Sequence, residues 1–106
     1  MRVISQHGNV DLPYEQIVVC HAMESVIALY NGEKYVLGEY SSKEKAYKAM
    51  EMLREQYSRI RIIKALASGA CEYMEKSLKP EEFKDIFEEY INMEVFQFPQ
   101  DDEIEV

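Results

Sequence analysis

The dipeptide Asn31-Gly32 lies between two runs of strand-forming residues, Ser25 to Tyr30 and Glu33 to Tyr40. A type I′ turn needs φ > 0 at both central residues, which Asn and Gly accept, so the pair predicts a tight antiparallel hairpin. Counting outward from the turn sets Ile27 opposite Val36 on one face. On the other face it sets Ala28 opposite Tyr35 and Val26 opposite Leu37. Both faces then carry apolar groups, and a single layer of helix covers only one of them.

The rest of the first forty residues also reads as β. Val3-Ile4-Ser5-Gln6 is a short strand followed by His7-Gly8-Asn9, where glycine is free to take φ > 0. Val10-Asp11-Leu12 runs into Pro13, whose missing N–H marks an edge or a strand end. Ile17 to Ala22 is continuous and β-branched, the pattern of a strand buried on both faces.

At Ser41 the period changes. Ser41-Ser42-Lys43-Glu44 fits a capping box, with the Ser41 hydroxyl accepting from an amide three residues on and Glu44 reaching back. Ala46, Met50, Leu53 and Tyr57 form the apolar stripe of a helix over roughly 42–57. Ile60, Ile63, Ala67, Cys71, Met74 and Leu78 predict a second helix, interrupted at Ser68-Gly69, although 59–63 also fits a strand. Pro80 suits the first turn of a third helix, with Glu81 and Glu82 near its positive dipole end. Phe83, Ile86, Phe87, Tyr90 and Ile91 make its apolar face, and Val95 to Phe98 reads as a closing strand. The expected fold is α+β: an antiparallel sheet of N-terminal strands plus the C-terminal strand, packed on an amphipathic helix, with a helical insert. It forms a single domain over 1–106, with a sheet-plus-helix frame at 1–57 and 93–106 and the insert at 58–92.

Charge narrows the function classes. The 106 residues hold 12 Lys+Arg and 20 Asp+Glu, a net charge of −8. Residues 1–71 carry nine basic and eight acidic side chains, and residues 72–106 carry three and twelve, so the two segments differ as +1 and −9. That balance disfavours nucleic acid or anionic membrane as the main partner, since both reward excess Lys and Arg. The segment 42–64 is locally basic, through Lys43, Lys45, Lys48, Arg54, Arg59, Arg61 and Lys64, but Glu44, Glu51 and Glu55 interleave with it. Apolar runs fall short of a membrane span, and the N-terminus lacks the long apolar stretch of a secretory signal. Cys20 and Cys71 lie far apart, outside any CxxC pattern, so a reduced cytoplasmic setting is expected.

Little in the chain points to catalysis or to a cofactor. Cys20-His21 is the one adjacent nucleophile-and-base pair, but neighbours on a strand point to opposite faces. A metal would have to gather His7, Cys20, His21 and Cys71 from distant segments, without zinc-type spacing. The glycines Gly8, Gly32, Gly38 and Gly69 are single and form no phosphate-binding loop. Tyr30, Tyr35, Tyr40 and Tyr90 are candidates to line a sheet face. The more regular feature is acidic: Glu81, Glu82, Asp85, Glu88 and Glu89 recur at helical spacing, which sets carboxylates about 5–6 Å apart in a row. Asp101, Asp102 and Glu103 in the tail would extend the row.

Three stretches carry a resemblance: Met1-Arg2-Val3-Ile4-Ser5-Gln6 through Asp11-Leu12-Pro13-Tyr14-Glu15, Tyr35-Val36-Leu37-Gly38-Glu39-Tyr40-Ser41-Ser42-Lys43-Glu44-Lys45-Ala46, and Val95-Phe96-Gln97-Phe98-Pro99-Gln100-Asp101-Asp102-Glu103-Ile104-Glu105-Val106. With Met50-Glu51-Met52-Leu53-Arg54 they resemble a group of small proteins encoded in prophages and mobile elements of Gram-positive bacteria. The likeness covers about 1–57 and 93–106. It implies action in the cytoplasm of a bacterial host, a structural role for Pro13-Tyr14-Glu15 and for Gly38, and target specificity in the insert.

The expectation is therefore a non-enzymatic inhibitor of a basic, nucleic-acid-binding host defence protein, such as a CRISPR nuclease. Glu81, Glu82, Asp85, Glu88, Glu89, Asp101, Asp102 and Glu103 would make the contact, with no cofactor and no metal. The alternatives are a homo-oligomer that captures a small nucleotide-type ligand, with the two-faced hairpin as its contact, and a phage accessory or regulatory protein.

Overall fold

The computed structural model describes residues 1–77 and 92–105, with backbone alone for 65–77. The predicted third helix, including Glu81, Glu82, Asp85, Glu88, Glu89 and Tyr90, lies outside the described residues, which omit 78–91 of the proposed insert. The class is α+β, with two three-stranded sheets against one helix.

The first sheet joins β1 (Arg2–Ile4), β2 (Asp11–Pro13) and β6 (Val95–Gln97) in the order β2-β1-β6. β2 runs antiparallel to β1, and Pro13 ends it on the outer edge, as its missing N–H requires. β6 runs parallel to β1, pairing Val3 with Phe96, which corrects the expectation of a single antiparallel sheet. Phe98 N–H continues that ladder to the Ile4 carbonyl at 3.0 Å.

The second sheet is antiparallel, in the order β3-β4-β5, from β3 (Val18–Ala22), β4 (Ser25–Tyr30) and β5 (Glu33–Glu39). The Asn31-Gly32 turn forms as expected, with φ of 50° and 80°. Ile27 pairs with Val36 and Ala28 with Tyr35. A bulge between Val26 and Ile27 then shifts the ladder, so Val26 pairs with Gly38 rather than Leu37. The extra residue turns both Leu37 and Gly38 inward, where both are buried. The β3–β4 turn carries no glycine or asparagine to mark it: Met23 takes φ 57°, a left-handed conformation that strains a side chain with a Cβ, and it is 77% exposed. β3 itself is an edge strand with no buried residue, which corrects the expectation of a strand covered on both faces.

One helix, α1 (Lys43–Ser77), runs without interruption where two were expected. It carries 59–63 as helix and passes through Ser68-Gly69, since a helix already nucleated tolerates one glycine at about 1 kcal/mol. Its cap is Ser42 rather than Ser41: the Ser42 Oγ accepts from Lys45 N–H at 3.2 Å. Ala46, Ala49, Leu53 and Ile60 of α1 are buried with Val26, Ala28 and Leu37 of the second sheet and with Val3, Leu12, Phe96 and Phe98 of the first. Gln56 stitches α1 to the start of β6, its Nε2 donating to the Met93 and Val95 carbonyls at 2.8 and 2.9 Å.

Candidate functional site

Among the described residues, the expected acidic site is represented by the tail alone. Its carboxylates divide by role. Asp101 is turned back onto the frame: one oxygen accepts from Ser41 N–H at 2.7 Å, and the other faces Lys45 Nζ at 3.3 Å. Lys45 Nζ also donates to the Asp101 carbonyl at 2.8 Å. Glu103 closes a short 3-10 turn over Asp101–Glu103, its Oε1 accepting from Gln100 N–H at 2.9 Å. Ile104 is buried in the core. Asp102 and Glu105 are exposed, so the tail presents carboxylates from a backbone that is itself held in place.

The Ser41 N–H bond, helped by the Lys45 ammonium, holds the Asp101 carboxyl below its ordinary range. The ammonium of Met1, 2.8 Å from Glu15 Oε1, does the same for Glu15. A carboxyl whose folded pKa is depressed stabilises the fold at pH above its unfolded pKa. That contribution is lost as pH falls through the folded value. The melting temperature should therefore fall below about pH 4. An Asp101→Asn, Glu15→Gln variant should melt lower at neutral pH and show a shallower acid limb; an unchanged acid limb would remove these two groups from the account.

The basic segment of α1 is partly consumed by local pairs. Lys45 faces Asp101, Lys48 lies 3.9 Å from Glu51, and Lys64 lies 3.7 Å from Glu94. Exposed pairs of this kind contribute little stability, but they break up a continuous positive stripe.

Cys20 and His21 point to opposite faces, as strand geometry dictates. Cys20 sits across from Ile27 on the outer face, and His21 across from Val26 on the helix-covered face. The His21 ring lies 4.3 Å from the Tyr47 ring, and its Nδ1 is buried without a hydrogen bond. Among the described residues, no cluster of three or more His, Cys, Asp and Glu is placed to hold a metal. No helix among them is long and apolar enough to cross a membrane.

Two hollows can be compared with a ligand's needs. One, of about 150 Å³, lies among Tyr14, Ile17, Val19, Met50, Leu53 and Arg54. The other, about 100 Å³, lies between Gln6, His7 and the Val36–Glu39 stretch. Both are below the roughly 300–1,000 Å³ of small-molecule sites, so neither holds a nucleotide within one subunit.

The outer face of the second sheet is the feature that carries over most directly from the hairpin pattern. Val18 is 61% exposed, Val36 51% and Leu29 37%, on the side away from the α1 core. Tyr40, by contrast, is no surface aromatic: it is buried, and its hydroxyl donates to the Pro99 carbonyl at 2.9 Å. Burial and the nearby Asp101 and Glu103 carboxylates raise its pKa far above the usual phenol range. Gly38 leaves room for that ring. A Cβ there would sit 2.9 Å from Tyr40 Cε2, which supports the close-packing role read from the sequence.

No family model matches the chain, and no curated protein or solved structure matches it either.

Proposed function

We propose that the protein is a non-enzymatic binding protein that inhibits a basic, nucleic-acid-binding protein of the class to which bacterial defence nucleases belong. The observation that carries this reading is charge segregation, +1 over residues 1–71 against −9 over 72–106. The tail adds to it: Asp101 and Glu103 are spent on anchoring, and Asp102 and Glu105 stay exposed beside them. Carboxylates on a held backbone present a fixed pattern to a cationic groove, which raises association rate and specificity. The resemblance to prophage-encoded proteins fits a cytoplasmic target in a bacterial host.

The test is inhibition of purified nucleic-acid-cleaving defence enzymes, with binding measured at about 50 mM and about 500 mM salt. Binding should weaken at high salt. Changing Glu81, Asp85, Glu88 and Asp102 together to Lys should abolish inhibition while the circular dichroism spectrum is kept. Full inhibition by that variant would overturn the reading.

A further inference from the structure

Four sheet edges exist in the described structure, and three of them are blocked along part of their length. The β2 edge ends in Pro13 and is covered by the Arg2–Asp11 ion pair at 2.8 Å. The β6 edge accepts from the Gln56 side chain at Val95. The β5 edge is paired at its C-terminal end by Gln6, whose N–H donates to the Leu37 carbonyl at 2.6 Å and whose Oε1 accepts from Glu39 N–H at 3.0 Å. Glu33, Lys34 and Glu39 add charge along that edge. Such devices are the usual protection against pairing with another chain.

β3 has none of them. Val18-Val19-Cys20-His21-Ala22 contains no charged residue and no proline, and its register with β4 runs without a bulge. The direction of its free groups follows from the turn. Ala22 and Ser25 flank a two-residue loop, so they must exchange both their N–H and C=O groups. Alternation then directs Cys20 and Val18 toward β4 as well, and leaves the N–H and C=O of Val19 and His21 pointing outward. Among the described residues, nothing bonds to these four groups.

We propose that two copies of this chain pair through their β3 edges, antiparallel about a two-fold axis at Cys20, to form one continuous six-stranded sheet. A two-fold axis normal to the sheet keeps each residue on its own face, so paired residue numbers must sum to an even value. Centring on Cys20 pairs all five residues. Val19 exchanges both hydrogen bonds with His21 of the second copy, twice over, and Cys20 meets Cys20 as a non-hydrogen-bonded pair. The second copy is the occupant because every outward group finds its complement in the same strand reversed. Charge argues the same way. Each copy carries a net −8, and the uncharged β3 edge is where two such molecules meet with least repulsion.

Five paired residues alone bury well under the roughly 800 Å² per partner of a stable interface. The flanks add to this. Val18 and Met23 lie exposed at the two ends of the strand, and Tyr47, 53% exposed, stands against His21 on the helix side. The result is a concentration-dependent dimer rather than an obligate one.

Non-hydrogen-bonded antiparallel pairs bring Cα atoms to about 4.5 Å, within disulfide reach. A Cys71→Ser chain should move in sedimentation equilibrium from 12.5 kDa toward twice that mass over about 10 µM to 1 mM. Under mild oxidation it should cross-link through Cys20. Cys20→Lys and Cys20→Glu variants, each folded by circular dichroism, should be monomeric alone, and mixing them should restore a 1:1 dimer. A Cys71→Ser chain that stays monomeric and uncross-linked throughout that range overturns the proposal. So does a dimer that survives in both single-charge variants.

Discussion

Replacing Phe98 by alanine should destabilise the fold by about 3–5 kcal/mol, the largest effect of any single truncation in the core. Phe98 is 1% exposed, packs edge-on against Phe96 with ring centroids 5.3 Å apart, and donates its N–H to Ile4. It is among the largest of the fully buried side chains. Truncating a buried phenylalanine costs about 3–5 kcal/mol, because the lost transfer free energy is joined by the cavity left behind. A domain of this size holds about 5–15 kcal/mol in total, so the loss is a large share. Phe98 belongs to the same buried cluster as Val3, Leu12 and Phe96 of the first sheet and Ile104 of the tail. Urea titration at 25 °C should show the midpoint falling by about a third or more. Val95→Ala, at a 45% exposed site in the adjoining strand β6, should change the stability by no more than about 0.5 kcal/mol. Equal shifts for the two would mean that β6 is not part of the cooperative core.

How far the sequence discloses this architecture depends on the range of each interaction. The Asn31-Gly32 hairpin was legible because its cause is local: two residues set the turn, and the register follows for four positions. It failed at Val26, because a bulge leaves no mark in composition. The α1 stripe is legible for the same reason, but the cap expected at Ser41 falls at Ser42, because tertiary contact gives Ser41 N–H to Asp101 instead. The parallel pairing of β1 with β6 joins residues more than ninety positions apart, and neither strand carries a local sign of its partner. β3 misled for a physical reason. An apolar strand buried on both sides and an apolar edge strand have the same composition, and burial decides between them. The acidic tail was visible as charge, but the division of labour between Asp101, Glu103 and Asp102 required knowing where Ser41 and Lys45 lie.

The second large effect concerns Gln6, a polar side chain left only 5% exposed where the two sheets and the tail converge. Its Oε1 accepts from Glu39 N–H at 3.0 Å, and its Nε2 donates to the Pro99 carbonyl at 3.2 Å. Its own carbonyl accepts from Gln100 Nε2 at 2.7 Å. Gln6→Leu keeps the volume and the backbone bonds but removes both side-chain functions. The Pro99 carbonyl retains the Tyr40 hydroxyl, so the main penalty is the stranded Glu39 N–H, about 1–3 kcal/mol. Gln6→Glu separates this polar account from a packing one. A carboxylate would still accept from Glu39, but its second oxygen would face the Pro99 carbonyl, so the folded state favours the protonated acid. A folded pKa raised above the unfolded value of about 4.3 gives stability that is full below that value and lost as pH rises through the folded one. Gln6→Glu should therefore approach wild-type stability near pH 4 and fall behind it at pH 7, while Gln6→Leu shows the same deficit at both. Parallel pH profiles for the two variants would mean that Gln6 acts through shape alone, and that the junction between the sheets is held by packing rather than by its hydrogen bonds.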